Sequence, residues 1–197
     1  MSYVIFDFET TGLLYKEEQI IEFSAKKLDD SLNVVSEISH LVALEGDRVL
    51  PQFIRQLTGI SQADLDAEGI PLEEAYAKLV EFIGDSIVVA QYASFDLAFL
   101  SKAMTPEKFI CTRSMARLLR PNEYASLKNL VKHYNIKNDN PHRASADVDA
   151  TVEVFKLQKA ECEAKGIEYL NVLIDSNERP LSYIPDNAVV HYMEFPI

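Results

Sequence analysis

The sequence predicts an α/β domain: a mixed sheet with its first strand at the centre, flanked by helices. Three observations carry this. A short apolar run, Tyr3–Phe8, opens the chain and is bounded by the turn-former Gly12, as a buried strand is. Strand-like runs then give way to alternating helix and strand patterns, the order of a layered α/β domain. The chain from about Ser145 to Ala164 reads as one long helix.

Taken in order, Gln19–Lys27 and Val34–Val42 flank the turn signal Asp29-Asp30-Ser31 and predict a hairpin after the first strand. Pro51–Ile60 and Ser61–Asp66 predict short helices. Pro71 precedes Leu72–Ile83, where Leu72, Ala75, Tyr76, Leu79, Val80 and Ile83 recur at helical spacing. The β-branched run Ile87–Val89 predicts a buried strand, Phe95–Ala103 a helix and Phe109–Thr112 a last short strand. Ser114–Leu119 and Ser126–Tyr134 predict helices, the second capped by Ser126. The polar stretch Asn135–Pro141 leads into the long helix. After residue 165 the composition turns to Val, Ile, Tyr, Pro and Asn without helical period. The expected division is therefore a main domain over 1–164 and an extension over 165–197. Tyr183, Ile184, Val189, Val190, Tyr192 and Phe195 would build an edge strand or hairpin packed on the domain, or else a dock for a partner.

With 197 residues the chain has the length of one domain that needs no covalent staple. Cys111 and Cys162 are far apart and lack a CxxC spacing, which predicts free thiols and no zinc site. No signal peptide and no membrane span is expected, so the predicted location is cytoplasmic. The net charge is −12, yet residues 102–143 hold nine Lys/Arg against three acids, a local +6; the other 155 residues carry −18. This pattern fits an enzyme that touches a few phosphates and releases them, or simply solvated helix faces. It does not suit a coating protein that relies on many phosphate contacts.

Asp7 and Glu9 lie two apart in a strand pattern and so share one face. Two carboxylates aimed together raise each other's pKa unless a cation neutralises them, and oxygen-only ligation suits Mg²⁺ or Mn²⁺. Alone, such a pair is more often an exposed strand end. Thr10, Thr11 and Gly12 follow, small residues beside which a substrate backbone could approach closely. Asp96 falls between a strand and a helix, near the carboxyl edge where open α/β sheets bind ligands; a helix-start acid is its plainer role. Asp147 and Asp149 are about 200° apart on a helix. Asp147 shares the small, apolar side with Ala144, Ala150, Thr151 and Val154, so it is the acid expected to meet the sheet. His142, five residues earlier, carries an imidazole suited to accept a proton near neutral pH.

Together these residues resemble the DEDDh family of 3′→5′ exonucleases, which has a ribonuclease-H-like fold. Its members include the proofreading epsilon subunit of bacterial replicative polymerase and exonuclease X. Asp7-Phe8-Glu9-Thr10-Thr11-Gly12 is similar to the family's D-x-E-T-T-G. Ala93 to Leu100 is similar to A-x-F-D-x-x-F-L, and His142 to Thr151 to H-R-A-x-x-D-x-x-A-T. The resemblance covers about residues 3–160. It implies that Asp7, Glu9, Asp96 and Asp147 hold two Mg²⁺ (or Mn²⁺) ions, with His142 as general base. It further implies that Thr10, Thr11, Gly12, Leu13, Ile60 and Phe95 bind the terminal nucleotide. The implied substrate is a nucleic-acid 3′ end, single-stranded DNA favoured over RNA, with a polymerase or replication protein as a candidate partner. A non-catalytic polymerase-partner module is the alternative from another class. One departure stands out: Gln91-Tyr92 replaces the His-Asn that usually opens the second motif.

Overall fold

The computed structural model describes residues 1–138 and 141–194. Strand β1 (Tyr3–Thr10) sends alternate side chains to two different layers. Val4, Phe6 and Phe8 pack with Leu79 and Ile83 of α3 (Leu72–Ile83) and Leu97 of α4 (Ala93–Leu100). Tyr3 and Ile5 face the other way, against Val148, Val152 and Phe155 of α7 (Ala144–Lys165). Asp7 and Glu9 continue this second face. The same alternation that buries Ile5 under α7 therefore aims both acids toward the N-terminal end of that helix.

The sheet has the order β3-β2-β1-β4-β5, with β1 at the centre as the sequence predicts. β2 (Ile20–Leu28) is antiparallel to both β1 and β3 (Val34–Leu41), and β4 (Ile87–Ala90) is parallel to β1 and to β5 (Phe109–Cys111). The sheet is thus mixed. Helices α1 (Gln52–Thr58) and α2 (Gln62–Glu68) follow the β-meander; Ser61 and Asp64 close a capping box that starts α2. α5 (Thr112–Leu119) and α6 (Leu127–His133) lie between β5 and α7, and Ser126 caps α6 by accepting from the Asn129 amide.

Several expectations shift. α3 has the bounds that periodicity predicts, whereas α4 starts two residues earlier than Phe95. β4 runs on to Ala90, so Gln91 and Tyr92 are the whole turn, and Asp96 falls in the first turn of α4. Beyond residue 165, β6 (Val172–Ser176) and β7 (Val189–Met193) form a separate two-stranded parallel sheet. They are neither a hairpin nor an edge of the main sheet. A hairpin needs a short reversal, but residues 177–188 cross the start of α4 before β7 begins, which returns the chain in the original direction. Phe195 lies outside the described residues.

Four of the nine basic residues of the locally basic segment are taken by acids, while Lys102, Lys108, Lys128, Lys132 and Lys137 are exposed. Arg113 and Arg117 are buried and share the carboxylate of Glu178; Arg120 pairs with Glu161 and Arg143 with Glu22. Arginine's fork favours such inward pairing over solvation, and charge summed along the sequence cannot distinguish the two. Cys111 and Cys162 are free and buried. Among the described residues, no helix is long and apolar enough to cross a membrane.

Candidate active site

Oxygens of Asp7 and Glu9 from β1 and of Asp147 from the first turn of α7 all lie within 4.8 Å of one another. Asp96 lines the same cleft and acts electrostatically on Asp7, but is not part of that tightest group. Asp149 turns away and pairs with Lys26, as helix geometry predicts.

Asp147 is held in place by residues that the motifs do not include. Glu22 on β2 sits opposite Glu9 in the strand register and is buried. Its carboxylate accepts from Arg143 Nη2 at 2.7 Å and from Nε at 3.2 Å, and from the Ala144 amide at 2.9 Å. The N-cap residue of α7, Arg143, has no side-chain cap of its own. Glu22 supplies that role from another element, with negative charge at the positive end of the helix. His142 adopts φ 65°, unusual for a residue with a Cβ, and this turn directs its amide to Asp147 Oδ2 at 3.1 Å. Asn138 Nδ2 donates to the other oxygen at 2.9 Å. Glu22 was detectable as a lone acid inside the apolar run Ile20-Ile21-Glu22-Phe23; nothing local marks Asn138.

Grouped acids out of water hold their protons. Asp7 is raised well above the usual carboxylate range, first by burial and then by Asp96, Glu9, Asp147 and Glu22. Glu9 is pushed up to about 8, again by burial first, then by Asp147, Glu22 and Asp96, with Arg143 opposing. Burial takes Asp96 to about 7 against backbone hydrogen bonds and the charge of Arg179. A cation among these oxygens would reverse the shifts, since it favours the ionised forms. The set offers hard oxygen donors alone, which fits Mg²⁺ or Mn²⁺ better than a metal that prefers nitrogen or sulfur.

The acids lie in a cleft of about 880 Å³. Thr10, Thr11, Gly12, Leu13, Phe95 and His142 all line it, and His142 is exposed there. The threonine hydroxyls already have partners: Thr10 donates to the Gly12 carbonyl at 2.7 Å and Thr11 to Glu18 at 2.5 Å. They shape the loop. A Cβ at Gly12 would come within 2.9 Å of the Glu18 side chain, so the tight approach that glycine permits here is to Glu18.

Ile60 is not on the cleft wall. It is buried with Ile21, Leu50, Ile54 and Leu65, and the wall is Phe53 and Leu57 instead. Helical period explains the exchange. Ile54 and Thr58 of α1 point inward, Phe53 and Leu57 share the outward face, and the left-handed turn at Gly59 folds Ile60 back into the core. Gln91 bonds to Thr112 and to the Ala125 carbonyl, so the first half of the departing dipeptide has a structural role. Tyr92 lies at the cleft, with the guanidinium of Arg179 4.1 Å above its ring.

A family model described as Exonuclease, of the RNase_T type, matches residues 4–155. The chain is 34% identical to "DNA polymerase III PolC-type" of Clostridium perfringens, aligning 92% of this chain with 13% of that protein. It is 29% identical to "DNA polymerase III subunit epsilon" of Aquifex aeolicus, over 78% of each. The chain thus spans about an eighth of the PolC-type relative's length. E. coli Exonuclease I in complex with a dT13 oligonucleotide shares the fold at a TM-score of 0.74 and 19% identity, covering 84% of this chain and 42% of that one. The nuclease domain of 3'hExo, a DEDDh family member bound to rAMP, does so at 0.68 and 18%, covering 85% and 94%. The architecture is ribonuclease-H-like.

Proposed function

This chain belongs to the RNase_T-type exonuclease family, and from that premise we propose that it hydrolyses DNA from the 3′ end, releasing 5′-nucleoside monophosphates one at a time. The observation that carries the reading is the convergence of Asp7, Glu9 and Asp147 within 4.8 Å, in a cleft that also holds Asp96 and His142.

Asp7, Glu9, Asp147 and Asp96 would hold two Mg²⁺ (or Mn²⁺) ions. When bound, such ions lower the pKa of water and neutralise charge developing at phosphorus. The protein's own groups account for the rest. His142, exposed at the cleft and fixed by its backbone bond to Asp147, accepts the proton of the attacking water. The bond broken lies between phosphorus and the 3′ oxygen of the preceding nucleotide, so the phosphate leaves on the 5′ side of the released nucleoside. Leu13, Phe53, Leu57 and Phe95 form an apolar wall for its sugar and base. Glu22 touches no substrate; through Arg143 and Ala144 it positions the strand of chain that carries His142 and Asp147.

DNA is preferred over RNA because two relatives are named as parts of DNA polymerase III, and a replicative polymerase is the partner this reading nominates. RNA is the second reading, favoured by the neighbour of like fold bound to rAMP. The test uses 5′-labelled single-stranded DNA, duplex DNA and RNA with Mg²⁺, Mn²⁺ or EDTA. The expected result is a metal-dependent ladder shortening from the 3′ end, fastest on single-stranded DNA and absent in Asp7→Ala. A faster RNA ladder would transfer the assignment to the second reading. Intact substrates with both ions would remove the nuclease assignment altogether.

A further inference from the structure

The segment after β6 reaches back to the cleft and is fastened there by buried groups. Glu178 accepts from Arg113 at 2.7 Å and also from Arg117, and both arginines are buried. Pro180 accepts from the Tyr92 hydroxyl at 2.7 Å. Ser94 Oγ, fully buried in the first turn of α4, accepts from the amides of Ser182 and Tyr183 at 2.9 Å and donates to the Tyr183 carbonyl at 2.7 Å. Bonds at Glu178 on one side and at Pro180, Ser182 and Tyr183 on the other hold Arg179 in one place. Its backbone is tied, its amide donating to Ser176, while its side chain stays exposed.

That side chain lies over the Tyr92 ring, its guanidinium carbon 4.1 Å from the ring centroid, and forms part of the cleft wall that also carries Asp96. Its neighbours Arg113 and Arg117 are committed to Glu178, yet among the described residues no ion pair takes Arg179 itself. A guanidinium held over an aromatic face leaves N–H donors of its planar fork available, and that fork matches two phosphate oxygens. The charge of Arg179 acts on Asp96, whereas it is not among the charges that act on Asp7 and Glu9. We propose that Arg179, delivered by the C-terminal segment and held over Tyr92, binds the phosphate adjacent to the scissile one and makes the enzyme prefer polynucleotides over single phosphodiesters. Arg179 lies outside residues 4–155, the part matched by the family model. It gives a function to the departure at position 92: an aromatic ring there is the seat for this arginine. The inference rests on the exonuclease reading and deepens it.

The experiment compares wild type, Arg179→Ala, Arg179→Lys and Tyr92→Leu on a dT oligomer and on the p-nitrophenyl ester of thymidine 5′-monophosphate, which has no adjacent phosphate. Expected for Arg179→Ala is a loss of about 10- to 100-fold in kcat/KM on the oligomer, as for one charge-assisted contact, with the ester unchanged. Arg179→Lys should recover part of the loss, and Tyr92→Leu should lose part of it. In the inactive Asp7→Asn background, adding Arg179→Ala should reduce the salt dependence of oligomer binding by about one counterion. Equal oligomer kinetics in wild type and Arg179→Ala would overturn this inference and leave the exonuclease reading intact. Equal losses on oligomer and ester, with a lowered Tm, would also overturn it, because the segment would then act only on the fold. Failure of the wild type to cleave either substrate would overturn both readings.

Discussion

Glu22 and Arg143 meet in a forked ion pair, with Glu22 Oε1 accepting from Nη2 at 2.7 Å and from Nε at 3.2 Å. They are separated by most of the chain, and their contact joins the sheet to the start of α7. Because Glu22 also accepts from the Ala144 amide, one carboxylate fixes both the turn bearing His142 and the helix bearing Asp147. Glu22→Gln keeps the size and removes the charge. We expect kcat/KM on labelled oligonucleotide to fall about 10- to 100-fold and stability by about 1–3 kcal/mol, from loss of a charge-assisted bond at a buried site. Unchanged activity would mean that α7 is placed without it.

Metal and pH should act on stability together. The folded-state pKa values of Asp7, Glu9 and Asp96 are raised, Glu9 to about 8 and Asp96 to about 7. Over the window from about pH 4, where these groups ionise when unfolded, to about 8, the folded state binds more protons than the unfolded one. Stability of the metal-free protein is therefore greatest at the acidic end of this window and falls as pH rises through it. Mg²⁺ or Mn²⁺ should cancel most of the fall by favouring the ionised acids. Melting curves at pH 5.5 and 8, with and without metal, test this at about 2–4 °C per kcal/mol for a chain of this size. Asp7→Asn should raise the metal-free Tm at pH 8 and abolish the metal response. A metal-free Tm that rises with pH would contradict the electrostatics of the site.

His142 separates chemistry from folding. Its left-handed φ of 65° suits glycine better than a residue with a Cβ, which bears roughly 1–2 kcal/mol of strain there. His142→Gly should remove the imidazole and lower kcat by about 10²–10⁴ while leaving Tm equal or higher. A parallel loss of both would make the residue structural.

How much of this was legible beforehand follows from the range of each signal. Asp7 and Glu9 could be paired from a period of two, and Asp147 distinguished from Asp149 by helical angle, because both arguments need only neighbouring residues. Glu22 could not be assigned so, since its partner was chosen by the β1–β2 register and the docking of α7. The arginines at 113, 117, 120 and 143 read as surface charge, and only tertiary packing reveals the carboxylates that take them. The parallel pairing of β6 with β7 was hidden for the same reason: residues 177–188 are drawn across α4 by Ser94 and Tyr92.

The clamp on that crossing makes a stability prediction. Arg113 and Arg117 have side chains 5% and 2% exposed, and Glu178 is their shared counterion. Glu178→Ala would remove the one carboxylate that Arg113 and Arg117 share at a buried site, which costs about 3–5 kcal/mol. A Tm drop of roughly 10 °C is expected. A drop of only a degree or two would mean that solvent reaches the arginines.

The exchange of Ile60 for Phe53 at the cleft gives the last prediction. Phe53 is 68% exposed on the wall, whereas Ile60 is 3% exposed in the core beneath it. Phe53→Ala removes apolar surface that a base can stack on, worth about 1–3 kcal/mol in ordinary single-strand sites. It should raise KM for an oligonucleotide about tenfold and leave Tm unchanged. Ile60→Ala should do the reverse, costing about 2–5 kcal/mol of stability through a core cavity with KM nearly unchanged at temperatures where the protein stays folded. Measuring KM and Tm for both variants decides which residue meets the nucleotide. If Ile60→Ala raised KM while Phe53→Ala did not, α1 would have to turn on substrate binding, and the wall described here would belong to the free protein alone.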